Sequence, residues 1–124
     1  MTFPRRGFLQ LAGGAVALAA FAPVASAQTY PSRPVTLIVP FPAAGPADVL
    51  ARILAERMRE SLGQPVVIEN VTGAAGSIAT ARVVRAAADG YTIILGNLGT
   101  LVVNGAIYPL QYDVAKVFEP ISLM

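Results

Sequence analysis

The sequence predicts an α/β fold, a parallel sheet flanked by helices, on three observations. Short β-branched apolar runs alternate with longer segments whose apolar residues recur at spacings of three and four. The order strand, loop, helix is repeated three times along the chain. The connecting loops are built from Gly, Ala and Pro, which suits tight turns out of a strand and into a helix. Helical crossovers make neighbouring strands parallel, so the three loops are expected together at the carboxyl edge of the sheet.

The first unit starts with the strand Val35-Thr36-Leu37-Ile38-Val39. The loop Pro40 to Gly45 follows, then a helix from about Pro46 to Leu62. Pro46 suits a first helical turn, where its missing N–H costs nothing, and Asp48 complements the positive end of the helix. Val49, Leu50, Ile53, Leu54, Met58 and Leu62 are expected to form its buried face. Gly63 ends the helix and Pro65 prevents a restart. In the second unit, Val66 to Asn70 reads as a strand, Val71 to Gly76 as a loop and Ser77 to Ala88 as a helix. Ser77 is the expected N-cap, and Ile78, Ala81, Val84 and Ala88 the expected apolar face. After the Asp89-Gly90 turn come the strand Tyr91 to Leu95, the loop Gly96 to Gly99 and a short helix from Thr100 to about Ile107.

Ahead of these units, residues 1–27 read as a cleaved export leader: a basic start, an apolar Ala/Gly-rich run and Ala25-Ser26-Ala27, with Gln28 as the first mature residue. Arg5-Arg6-Gly7-Phe8-Leu9 matches the twin-arginine form of such a signal, which points to the bacterial periplasm. The apolar run falls short of the roughly 20 residues a membrane span needs, so no stable insertion is expected after cleavage. Losing Arg5 and Arg6 brings nine Lys+Arg to seven, equal to the seven Asp+Glu. Charge therefore gives no support to a nucleic-acid partner. The chain has no Cys and no His. That excludes a thiol or Ser–His nucleophile and a transition-metal centre of ordinary ligand type, and no cofactor is expected. No G-K-[ST] follows any loop, and the mature part lacks the G-x-G-x-x-G fingerprint, so neither nucleotide motif is present.

The loops themselves are the candidate site. A helix N-terminus offers unpaired N–H groups and a partial positive charge, and small residues let an anion approach that backbone. Pro40, Phe41, Ala43, Ala44 and Gly45 are the candidates in the first unit, with Asp48 read as a helix-dipole residue. Ala74, Gly76 and Ser77 follow in the second, and Asn97, Gly99 and Thr100 in the third. Together they suit a carboxylate or a phosphate, bound by backbone amides.

Tyr30-Pro31-Ser32-Arg33-Pro34, the segment VPFPAAGPADVLAR, Leu62 to Asn70, Asp89-Gly90-Tyr91-Thr92 and Phe118-Glu119-Pro120-Ile121 form an ordered set of motifs. With them the mature chain resembles the N-terminal part of the Bug (TctC-like) periplasmic solute-binding receptors of tripartite tricarboxylate transporters. The resemblance implies one lobe of a two-lobed, type II-like binding protein that captures small di- or tricarboxylates and delivers them to a membrane permease. It implies no enzyme activity, and it places ligand contacts at the same three loops and at Asp48. Residues 28–124 then form the first-lobe solute-binding domain, expected to be incomplete at its C-terminus because the apolar run Glu119 to Met124 looks like a strand just beginning. Where the family usually reads P-A-G-G, this chain has Pro42-Ala43-Ala44-Gly45, and an alanine at 44 is expected to resist a positive φ. Asn70-Val71-Thr72-Gly73 likewise replaces the commoner N-R-P-G.

Two other readings stand beside the receptor. One is a receptor fragment without activity. The other is an exported α/β enzyme domain acting on an anionic substrate, which would need Asp48, Glu69, Asp89 or Lys116 in one constellation.

Overall fold

A computed structural model describes residues 29–123; the leader expected at residues 1–27 lies outside them. The elements are β1 (Val35–Val39), α1 (Pro46–Leu62), β2 (Val66–Asn70), a 3₁₀ turn (Ala74–Gly76), α2 (Ser77–Val84) and β3 (Thr92–Ile94). A wide helical turn, Gly99–Val103, then runs into α3 (Asn104–Ile107), and α4 (Val114–Val117) follows. The strands form one parallel sheet in the order β2-β1-β3. Val35 pairs with Val66 and Val39 with Asn70 on one side of β1, and Thr36 with Thr92 and Ile38 with Ile94 on the other. All three strand-to-helix loops therefore leave the same edge.

The central strand is buried on both faces, as consecutive Leu37, Ile38 and Val39 show by exposing at most 2% of their surface. Leu37 and Val39 pack with Ala51 of α1, flanked by Val66, Ile68, Ile93 and Leu95 from the outer strands. Several expectations need correction here. The expected apolar face of α1 is covered only in part: Leu54, Met58 and Leu62 are half-buried, Val49 and Ile53 are more than half exposed, and the fully buried residues are Asp48, Ala51 and Ala55. Alanines let the helix axis approach the sheet closely, and a tether at Asp48, described below, fixes the rotation of the helix about that axis.

In the second unit, Ser77 is the first helical residue and Gly76, at φ +90°, is the N-cap. That helix buries Ala79 and Thr80, exposes Ile78, and stops at Val84 because Arg85 and Ala86 close tighter turns onto Arg82 and Val83. The run at 119–123 has no regular structure, and Ile121 and Leu123 lie exposed. At the other end of the described chain, Tyr30 donates to the Gly90 carbonyl and Arg33 stacks 4.0 Å over the Tyr91 ring while pairing with Asp89. These contacts anchor the entry to β1 against the entry to β3.

Candidate ligand-binding groove

The first loop is shaped by a buried carboxylate. Asp48 sits in the first turn of α1 and is 2% exposed. Its Oδ2 accepts the Ala44 N–H at 2.8 Å and Arg52 Nε at 2.9 Å, and its Oδ1 accepts Arg52 Nη2 at 3.1 Å and Asn70 Nδ2 at 3.0 Å. Asn70 Nδ2 also donates to the Phe41 carbonyl at 3.1 Å. Helix, loop and strand end are thus tied at one point. The Arg52 guanidinium, then the Ala44 amide and the Asn70 amide, hold the Asp48 carboxyl down at about 2, below its ordinary 3.8. Under this tether Ala44 takes φ +63° after all, against the expectation that an alanine would resist it. The left-handed conformation costs an L-residue on the order of 1 kcal/mol. Replacing Ala44 by glycine is therefore expected to stabilise the fold by about 0.5–1 kcal/mol, read as a higher urea midpoint at unchanged slope.

The other two loops meet the first by close packing. Ala74 and Ala75 have φ +45° and +53°, so all three non-glycine positive φ values among the described residues fall in these loops, each on an alanine. A Cβ built on Gly76 would lie 2.6 Å from Thr100 Cγ2 and 3.2 Å from Pro40 Cβ, so one glycine lets the three loops touch. Asn104 Nδ2 donates to the Ala75 carbonyl at 2.8 Å, and Thr80 Oγ1 to the Gly76 carbonyl at 3.0 Å. In the third loop, Asn97 Oδ1 accepts the Thr100 N–H at 2.9 Å and Thr100 Oγ1 accepts the Asn97 N–H at 3.0 Å. This reciprocal pair caps the helical turn and commits Asn97 Oδ1 and Thr100 Oγ1 locally.

An open groove runs beside these loops. Phe41 to Gly45 form one wall, with Pro46, Ala47 and Leu50 of α1; Leu95, Gly96 and Asn97 form the other. No charged side chain lines it. Val49 N–H makes the first α1 bond, to the Gly45 carbonyl, and Gly45 supplies no side-chain cap. Among the described residues the amides of Ala43 and Ala47 have no acceptor, and both residues line the groove.

Of the residues singled out from the sequence, the structure brings Phe41, Ala43, Ala44, Gly45 and Asn97 together at this groove. Asp48 lies beneath it as a tether, with both oxygens engaged. Gly76 and Thr100 lie behind, buried at the loop junction, and Ala74, Ser77 and Gly99 do not line the groove. Leu50, Leu95, Pro46 and Ala47 were not candidates. Leu50 was legible in one respect: it follows Pro46 by one helical turn and shares its face. Asn70 was singled out only as part of a family motif, with no role attached to its side chain. The four residues named for an enzyme each form an ion pair outside that set: Asp48 with Arg52, Glu69 with Arg82, Asp89 with Arg33 and Lys116 with Asp113.

Comparison with known proteins meets this geometry at the level of family. A family model described as the tripartite tricarboxylate transporter family receptor matches residues 50–124. Protein BugT of Bordetella pertussis is 43% identical over 118 residues, covering 94% of this chain and 36% of BugT. The structure of MatC from Rhodopseudomonas palustris with bound malate superposes with a TM-score of 0.69 at 47% identity, over 73% of this chain and 31% of MatC. An R. palustris protein with adipate gives a TM-score of 0.55 at 48% identity, over 56% of this chain and 23% of its own. The chain spans about a third of the length of the curated relatives it matches.

Proposed function

The chain belongs to the tripartite tricarboxylate transporter family of receptors, and from that premise we propose that it is a periplasmic receptor for a small carboxylate, of the di- or tricarboxylate type. The groove beside the first loop is its half of the site. A carboxylate there would be held by backbone amides at the start of α1, where the helix dipole favours negative charge. The observation that carries this reading is the groove itself: amide donors without acceptors, small side chains and no fixed countercharge. Malate and adipate, present in the two structural relatives, are carboxylates of that class. Delivery to the membrane permease of a tripartite transporter follows from the family, and residues 1–27 act as the export leader.

The reading is checked on protein recovered from the periplasm, where its first residue should be Gln28. Its thermal unfolding is followed alone and with millimolar malate, adipate or citrate. A ligand that binds only the folded state at 100 times its Kd adds about 2.7 kcal/mol, so an upward shift of several degrees is expected with at least one acid. A cooperative transition that none of the acids moves would sink the proposal. Absence of any cooperative transition would favour the inactive-fragment reading, which the exposed Val49, Ile53, Leu98, Val102 and Ile107 support.

A further inference from the structure

We infer that Asn70, which does not line the groove, is a positioning residue for carboxylate capture, acting through Asp48 on the main chain of the first loop. The inference rests on the receptor reading above. Asn70 ends β2, placed opposite Val39 by the parallel register, so it stands beside the point where the first loop leaves the sheet. Its Nδ2 donates to the Phe41 carbonyl at the start of the loop and to Asp48 Oδ1 beneath its end. One amide group therefore spans the whole loop. Its orientation is forced, because the flipped amide would set an oxygen against a carbonyl and a carboxylate, neither of which can donate.

The consequence is a division of labour among the loop amides. Asp48, held by Asn70, takes the Ala44 N–H, so that amide is committed internally. The Gly45 N–H turns back to the Pro42 carbonyl at 3.3 Å. Ala43 and Ala47, like Phe41 and Gly96, line the groove with no acceptor for their amides among the described residues. Without Asn70, the Phe41 carbonyl and Asp48 Oδ1 lose their shared donor, Ala44 is released to relax out of the left-handed region, and the Ala43 amide moves with it.

The test titrates the full chain, expressed with its leader and recovered from the periplasm, calorimetrically with malate and with adipate. Asn70→Ala is expected to weaken the better acid about tenfold, the scale of one charge-assisted hydrogen bond. Arg33→Ala, which breaks the distant Asp89 pair, should lower the melting midpoint yet leave Kd within twofold. In parallel, hydrogen exchange at the Ala44 amide should be slower than at Ala43 by about tenfold or more in the wild type, a gap that Asn70→Ala closes. An Asn70→Ala chain that binds as tightly as wild type overturns the inference. If that variant does not fold, Asn70→Ser, whose shorter side chain cannot bridge both acceptors, decides: exchange rates at Ala44 and Ala43 that converge support the inference, and a gap as wide as in wild type overturns it. A wild-type chain that takes neither of these acids nor citrate refutes the receptor reading instead, and the same exchange comparison still judges the tether.

Discussion

Replacing Gly76 by alanine is expected to cost about 3 kcal/mol and to lower the melting midpoint by roughly 15 °C. Two penalties add. Gly76 sits at φ +90°, outside the region an L-residue adopts without strain. The new methyl would also stand 2.6 Å from Thr100 Cγ2 and 3.2 Å from Pro40 Cβ, both on elements fixed by the sheet. Gly63→Ala separates the two effects. Gly63 has φ +66° with nothing within 4 Å of a built Cβ, so it carries the backbone penalty alone, about 1 kcal/mol. Equal losses for the two variants, measured by thermal denaturation, would show that the three loops are not packed together as described.

Asp48→Asn is the second large effect, with an expected fall in midpoint of roughly 10 °C. The side chain keeps its shape but exchanges one oxygen for an NH₂ group. Each Asp48 oxygen accepts two donors, one of them from Arg52, so either orientation of the new amide faces donor against donor. The same tether predicts an acid response. The Asp48 carboxyl is held down at about 2 in the fold against 3.8 ordinarily, so the unfolded chain binds its proton first as pH falls. The stability this group contributes is present in full above about pH 4 and lost as pH drops toward about 2. Wild type should therefore lose stability through that window more steeply than Asp48→Asn. Glu56 and Asp113 are also held low, by Arg59 and Lys116, but both pairs are exposed and contribute little.

Much of this architecture was legible, and the reasons differ by element. β1 and α1 match their expected limits because β-branched residues, Pro46 and Gly63 each act locally, without help from the rest of the chain. The parallel order followed from the helical crossovers. The rotation of α1 was not legible, because periodicity ranks residues by hydrophobicity while the sheet selected Ala51 and Ala55 for their small size. α2 ended early because Arg85 and Ala86 make short turns that a propensity reading cannot see. At the groove, Phe41 to Gly45 could be found from composition alone. The roles of Asp48 and Asn70 could not, since 22 positions separate them and only the β1–β2 register brings them together.

The three positive-φ alanines have a bearing on how such a loop can vary over generations. At Ala44 the main-chain path is imposed from outside, by a carboxylate on α1 and an amide on β2, so the residue at 44 need not favour that path itself. Substitutions there are filtered by their modest energetic penalty and by what the side chain does to the ligand, not by whether the loop keeps its shape. A lineage could therefore explore different small side chains along this wall while Asp48 and Asn70 preserve the path of the backbone behind it. Shape is inherited through two distant residues, and selectivity is left open to drift at the rim.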